Sequence, residues 1–172
     1  MYYGNIKKYD IADGTGVRIS LFVSGCRNAC EGCFNQVSWN FKYGKEFTDE
    51  TLAEIIDLLK PEYVEGFSIL GGEPFEEENQ ETVLHILQKV KEAYPNKNIW
   101  AWTGYTLETD LLLLNGKKHT PFTNDILKLI DVLVDGRFIL SKRNLLLKWK
   151  GSENQRVIDL KQTLISNKIV LK

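Results

Sequence analysis

Short apolar segments rich in β-branched and aromatic residues recur along the chain and predict β-strands. The clearest is residues 17–23, in which apolar side chains alternate with smaller or polar ones. Residues 67–70, 98–102 and 132–134 have the same character, and each is followed by a turn that contains glycine. We therefore predict four strands that end at glycine-containing loops.

Segments with apolar residues at helical spacing lie between these strands and predict amphipathic helices. The first begins at residues 48–50, where two acidic residues suit the helix dipole, and ends before Pro61. The second carries its apolar stripe over residues 83–94, and a third spans residues 125–130. Towards the C-terminus, residues 157–160 and 169–171 are candidates for short strands.

The alternation of strands and helices predicts an α/β fold with a mostly parallel sheet. Because no low-complexity tract or Pro/Gly/Ser-rich linker interrupts the pattern, we predict a single domain over residues 1–172. Ligands of such sheets bind beyond the carboxyl ends of the strands. The loops that begin at Cys26, Gly71, Thr103 and Asp135 all follow predicted strands. We expect the chemistry of the protein there.

Composition and charge narrow the class of protein. The chain has 172 residues, 22 basic against 23 acidic, and a net charge of −1. A near-neutral chain argues against nucleic acid or an anionic membrane as a partner bound by bulk electrostatics. No apolar run approaches the roughly 18 residues of a membrane span, and residues 1–8 lack a signal-peptide pattern. We expect a cytoplasmic protein with reduced thiols.

All three cysteines of the chain lie within eight residues and are spaced C-x3-C-x2-C. They are Cys26, Cys30 and Cys33, too few and too close for a disulfide scaffold. Thiolates are soft ligands that suit zinc or an iron–sulfur cluster. Two interpretations remain at this point. A distant histidine or aspartate completes a zinc site, or three cysteines hold a four-iron cluster with one iron left open; His85 and His119 are the only histidines.

The cysteine spacing, followed by the aromatic Phe34, resembles the signature of the radical S-adenosylmethionine superfamily. The resemblance implies an incomplete (β/α) barrel and a [4Fe–4S] cluster on the three cysteines. It also implies that S-adenosyl-L-methionine chelates the fourth iron. The pocket for that cofactor is then expected to include the following residues: Gly32, Cys33, Phe34, Gly71, Gly72, Glu73, Thr103, Gly104 and Asp135. In the superfamily, the Gly-Gly-Glu turn receives the ammonium group, and the aromatic residue lies against the adenine.

Further segments resemble one subfamily, the activating proteins of anaerobic (class III) ribonucleotide reductases, over nearly the whole chain. These segments are residues 13–16, 21–26, 33–35 with Trp39, 99–105, 132–138 and 149–155. The resemblance implies an enzyme that cleaves S-adenosylmethionine reductively and forms a glycyl radical on the large reductase subunit. The implied electron donor is a reduced flavodoxin. Thr15 stands where the family usually has proline, Arg137 where lysine is common, and residues 111–121 form an additional loop.

Other functions compete with this interpretation. Within the same superfamily, the protein could activate a different glycyl-radical enzyme or act on a small molecule. It could instead be a zinc-binding interaction module or a simple electron-transfer iron–sulfur protein. The last two require no S-adenosylmethionine, so cleavage of that molecule separates them from the first two.

Overall fold

Seven strands and four α-helices alternate along the chain in a computed structural model that describes residues 1–172. The strands are β1 (Tyr2–Asp10), β2 (Val17–Val23), β3 (Lys45–Glu46), β4 (Val64–Gly71), β5 (Asn98–Trp102), β6 (Val132–Asp135) and β7 (Arg156–Asp159). The helices are α1 (Asp49–Leu59), α2 (Glu77–Ala93), α3 (Thr123–Leu129) and α4 (Leu160–Ser166). All strands belong to one sheet in the order β3-β1-β2-β4-β5-β6-β7.

The centre of the sheet is parallel and its borders are antiparallel. Strands β2, β4, β5 and β6 pair in parallel, with Leu21 opposite Ile69 and Phe67 opposite Ile99. On either side, β1 and β7 pair antiparallel to their neighbours, and β3 pairs with β1. The predicted α/β class with a largely parallel sheet is confirmed. The sheet is not closed, because β3 and β7 are its first and last strands and do not pair with each other.

Helices α1, α2 and α3 provide the crossovers between the parallel strands. Helix α1 begins where the sequence predicts, because Thr48 forms a capping box with Thr51 and two acidic residues occupy the first turn. Helix α2 begins at Glu77, six residues before the apolar stripe that predicted it. No helix in the structure is long and apolar enough to cross a membrane.

The two faces of the sheet differ in chemistry. Alternate strand residues such as Ile19, Leu21 and Phe67 pack against the helices in the main apolar core. Because side chains alternate along a strand, the residues between them point to the opposite face. That face carries the fully buried Arg18, whose Nε donates to Ser68 Oγ at 2.6 Å and whose Nη2 donates to Phe67 O at 2.8 Å. Burial lowers the pKa of Arg18 to about 10.

Several elements at the borders of the sheet are absent from the sequence prediction. Strand β1 exposes most of its side chains and so lacks the apolar alternation of a half-buried strand. Strand β3 has only two residues, and helix α4 buries only Leu160 and Thr163. The strand predicted at 157–160 is present as β7. By contrast, residues 169–171 form only a single bridge, between Leu171 and Ile158.

Candidate functional site

The cysteine loop, residues 26–33, leaves the carboxyl end of β2 and is held by backbone hydrogen bonds. Cys26 N–H donates to Trp39 O at 3.3 Å, and Cys33 N–H donates to Cys30 O at 3.1 Å. Gly25, which precedes the loop, has φ 94°, and a side chain there would collide with the ring of Phe41. A glycine is therefore required at the bend from strand to loop.

A cavity of about 360 Å³ lies at the carboxyl edge of the parallel strands and brings the three cysteines together. Its wall also includes Asp13, Phe22, Asn28, Phe34, Asn35, Ser38, Trp39, Leu70, Gly71, Gly72, Glu73, Trp102, Thr103, Gly104, Gly136, Phe138, Trp149, Lys150, Gly151 and Gln155. The strand residues among them belong to the face opposite the helices. The cavity thus occupies the end of the sheet at which the sequence pattern predicts chemistry.

The three thiols are soft donors of the kind that zinc and iron–sulfur clusters prefer. No group of three or more His, Cys, Asp or Glu side chains is arranged to hold one metal ion. The three cysteines instead share a cavity wall that contains no histidine. Burial raises the pKa of the Cys26 thiol to about 11, and a bound metal would favour its thiolate form. The donor set, three soft sulfurs facing one space, fits an iron–sulfur cluster.

The Gly71-Gly72-Glu73 turn is joined directly to the cysteine loop. Gly72 N–H donates to Val23 O at 2.7 Å, and Glu73 N–H donates to Gly25 O at 2.9 Å. A Cβ at Gly72 would stand 2.6 Å from the oxygen of Gly25, so only glycine permits this approach. The carboxyl ends of β2 and β4 are thereby fixed relative to each other.

Glu73 is buried and accepts four hydrogen bonds. Oε1 receives Phe75 N–H at 3.0 Å and Thr103 Oγ1 at 2.8 Å. Oε2 receives Gly104 N–H at 2.8 Å and Asn28 Nδ2 at 3.1 Å. Burial raises the pKa of Glu73 to about 7, although these donors favour the ionised form. Glu73 therefore ties β4, β5 and the cysteine loop together at the edge of the cavity.

The residues expected to bind S-adenosylmethionine do not all lie on the cavity. Phe34 does, with 93% of its surface exposed, and so do Thr103 and Gly104. Gly32 does not line it and packs against Leu140. Asp135 is buried away from it and accepts hydrogen bonds from Arg156 Nε and Leu107 N–H, both at 2.9 Å. Roles for these residues in cofactor binding remain predictions.

Asp13 lines the cavity, and in the sequence only the subfamily resemblance of residues 13–16 marks it. It lies in the loop between β1 and β2, and burial together with a hydrogen bond to Asp10 raises the pKa of Asp13 to about 7. Trp149 also lines the cavity, and its Nε1 donates to Gly14 O at 3.0 Å. Its segment matches the subfamily pattern, and that resemblance was the only sequence signal that marked it.

A buried carboxylate behind the cysteine loop anchors the residue next to the first cysteine. Glu76 is fully buried and accepts Arg27 N–H at 2.7 Å, Arg27 Nη1 at 2.8 Å and Lys118 Nζ at 2.7 Å. Burial alone would raise the pKa of Glu76, but the hydrogen bonds of Lys118 and Arg27 hold it below its ordinary value. Lys118 comes from the additional loop at residues 111–121, which thus supports the cysteine loop.

Replacing Glu76 with glutamine will destabilise the protein by about 2–3 kcal/mol, because charged donors lose their ionised acceptor in a buried position. The measurement is urea unfolding of the metal-free protein at pH 7. Glu78→Gln is the matched control, since Glu78 pairs with the same Arg27 but is half exposed. We expect less than about 1 kcal/mol for it. Equal losses in the two variants would contradict the anchoring role of Glu76.

Comparisons with known proteins agree with this chemistry. Residues 12–158 match the family model of a 4Fe-4S single cluster domain. Three relatives are each named anaerobic ribonucleoside-triphosphate reductase-activating protein. The one from Haemophilus influenzae is 43% identical over 85% of this chain and 90% of its own. The relative from Enterobacteria phage T4 is 38% identical over 91% of this chain and 93% of its own length. The relative from Escherichia coli K12 is 36% identical over 94% of this chain and 100% of its own length.

Proposed function

The chain belongs to the family of anaerobic ribonucleoside-triphosphate reductase-activating proteins, and on that premise we propose that it forms a glycyl radical on the large subunit of such a reductase. The proposed reaction consumes S-adenosylmethionine and one electron. The observation that carries the proposal is the shared cavity, whose wall holds three cysteines and the Gly-Gly-Glu turn at the carboxyl edge of a parallel sheet.

Cys26, Cys30 and Cys33 would hold a [4Fe–4S] cluster through three of its irons and leave the fourth free for S-adenosylmethionine. A cluster held there would supply the one electron needed to cleave the sulfonium of S-adenosylmethionine into methionine and a 5′-deoxyadenosyl group, and a hydrogen atom from a glycine Cα of the reductase would complete that group. The products are 5′-deoxyadenosine and the glycyl radical. The electron comes from the cluster and the hydrogen atom from the glycine, so no side chain has to transfer a proton.

The remaining cavity residues would bind S-adenosylmethionine and orient it. The backbone carbonyls of Gly71 and Gly72 offer acceptors that suit a cationic ammonium group. Glu73, whose two oxygens each accept two hydrogen bonds from the protein, holds this turn in place. The exposed ring of Phe34 offers a flat apolar surface for adenine. We include Thr103 and Gly104 in this pocket through Glu73, to which both donate hydrogen bonds. These groups and the three thiols line the same cavity.

The incomplete-barrel architecture is part of the same proposal. Four parallel strands joined by helices, with antiparallel strands at the borders, form a sheet that does not close, and the cavity at its carboxyl edge, where Phe34 is exposed, is open to a partner. A protein substrate needs such an opening, because its glycine reaches the cavity only as part of a polypeptide. A small one-electron donor, such as reduced flavodoxin, completes the reaction.

Anaerobic incubation with dithionite, S-adenosylmethionine and the purified large reductase subunit tests the function. We expect 5′-deoxyadenosine and a glycyl-radical doublet in the EPR spectrum of the reductase. Omission of S-adenosylmethionine is the control and should remove both signals. A protein that contains about one zinc and no iron or sulfide after anaerobic purification would exclude the proposal. A reducible cluster that yields no 5′-deoxyadenosine would indicate simple electron transfer instead.

A further inference from the structure

The segment between β6 and β7 is unlike the rest of the chain in charge. Residues 137–150, here called the basic segment, contain five basic residues and no acidic one, although the whole chain has a net charge of −1. The five are Arg137, Lys142, Arg143, Lys148 and Lys150. None of them forms an ion pair with a carboxylate in the structure. No carboxylate of the chain therefore pairs directly with them.

The basic segment also exposes large aliphatic side chains. Leu145 and Leu146 are 83% and 91% exposed, and Ile139 and Leu140 are 37% and 40% exposed. Single exposed leucines are common, but several on one short segment, among unpaired charges, are typical of a surface that another molecule covers. Neither feature contributes to the core of this chain.

Both ends of the basic segment border the cavity. Phe138, Trp149 and Lys150 line it. Near the cysteine loop, Arg137 Nη2 donates to Asn28 O at 2.7 Å, and a Cβ at Gly32 would stand 2.6 Å from Leu140 Cδ1. A molecule that covers the exposed leucines therefore lies next to the place where the three cysteines meet.

We propose that the basic segment is the docking surface for an acidic, apolar-containing segment of the reductase large subunit, adjacent to the glycine that enters the cavity. This inference rests on the proposed function. If the substrate is a glycine in a protein backbone, the parts of that protein on either side of the glycine must lie against the surface around the cavity. Unpaired cations select an acidic surface, and the aliphatic side chains supply the apolar contact area.

Nucleic acid and anionic lipid also attract basic clusters, but the observations favour a protein. The aliphatic side chains offer nothing to a phosphate backbone, and the chain as a whole is slightly acidic. An anionic membrane would attract the five cations. It would not place a glycine backbone at the cavity that this segment borders.

Charge reversal tests the surface. Lys142→Glu with Arg143→Glu changes two exposed side chains that make no side-chain hydrogen bond and do not line the cavity. We expect the dissociation constant for the purified large subunit, measured anaerobically by calorimetry, to rise at least about tenfold at low salt and less at high salt. Lys168→Glu with Lys172→Glu makes the same change in net charge at the far C-terminus and should leave the constant unchanged.

An apolar double variant and an assay without the reductase distinguish a loss of docking from a loss of folding. Leu145→Ser with Leu146→Ser should also weaken binding, but without changing its salt dependence. 5′-Deoxyadenosine formation in the absence of reductase should equal that of the wild type in every variant. Binding of the charge-reversal variant within twofold of the wild type would overturn the docking surface and leave the proposed function intact.

Two further outcomes are decisive. Vesicles that contain phosphatidylserine and a short duplex DNA serve as competing probes. If charge reversal abolishes binding to either probe but not to the reductase, the docking surface belongs to that partner and the inference is wrong. A wild-type protein that neither binds the reductase nor forms its glycyl radical would overturn both the inference and the proposed function.

Discussion

Replacing Cys30 with alanine will leave the protein unable to hold its cluster. After anaerobic reconstitution we expect fewer than about one iron per chain, against about four in the wild type. Two thiolates cannot replace three, and no other Cys or His lines the cavity to substitute for the lost ligand. S-Adenosylmethionine cleavage should fall by at least about 100-fold, since even loss of a residue that only supports a metal ligand costs 10–100-fold.

The fold should survive this change, which separates ligand loss from unfolding. Cys30 is buried, with 8% of its surface exposed, but it is a small side chain in a loop and is not part of the main apolar core. The metal-free variant should therefore melt within a few degrees of the metal-free wild type, since about 1 kcal/mol corresponds to a few degrees in a domain of this size. Val37→Ala, at an exposed position beside the cysteine loop, is the control and should retain iron. A Cys30 variant that retains four irons and cleaves S-adenosylmethionine would refute the ligand assignment.

Replacing Glu73 with glutamine will destabilise the protein by about 2–4 kcal/mol and weaken S-adenosylmethionine binding at least about tenfold. Both carboxylate oxygens accept a backbone N–H, from Phe75 on Oε1 and from Gly104 on Oε2. Whichever way the amide is oriented, its NH2 group meets one of these backbone donors. The isosteric change is thus not conservative here.

Glu77→Gln is the matched control, because Glu77 is an exposed carboxylate in the first turn of α2. This substitution should lower the free energy of unfolding by less than about 1 kcal/mol and leave the affinity for S-adenosylmethionine unchanged. Urea unfolding of the metal-free proteins gives the stability, and calorimetry on the reconstituted proteins gives the affinity. If the Glu73→Gln variant unfolds at the same urea concentration as the wild type and binds S-adenosylmethionine equally well, then Glu73 neither joins the strands nor contributes to the pocket.

The sequence predicted the parallel centre of the fold because its strands are buried and its helices are amphipathic. Strand β2 and helix α1 illustrate this, since both have regular apolar spacing and α1 has a capping box. The borders were missed where the pattern is weak. Strand β1 alternates poorly because it exposes most of its side chains, and α4 buries too little to produce a stripe.

In the candidate site, residues that are close in sequence could be predicted, and contacts between residues far apart in sequence could not. The three cysteines lie within eight residues, so their spacing is visible in the sequence. The partners of Glu73 are not, because Asn28 and Thr103 are 45 and 30 residues away along the chain. The same holds for Glu76, whose partner Lys118 lies 42 residues away in the additional loop. Contacts that depend on the packing of separate loops have no periodic or local signature.

The most direct test of the central claim is transfer of deuterium from the reductase to 5′-deoxyadenosine. A large subunit whose glycines carry deuterium at Cα is incubated anaerobically with this protein, dithionite and unlabelled S-adenosylmethionine, and the nucleoside is analysed by mass spectrometry. The account predicts that 5′-deoxyadenosine gains one deuterium as the glycyl-radical doublet grows. Unlabelled 5′-deoxyadenosine alongside the same doublet would contradict it, because the hydrogen atom would then have come from elsewhere.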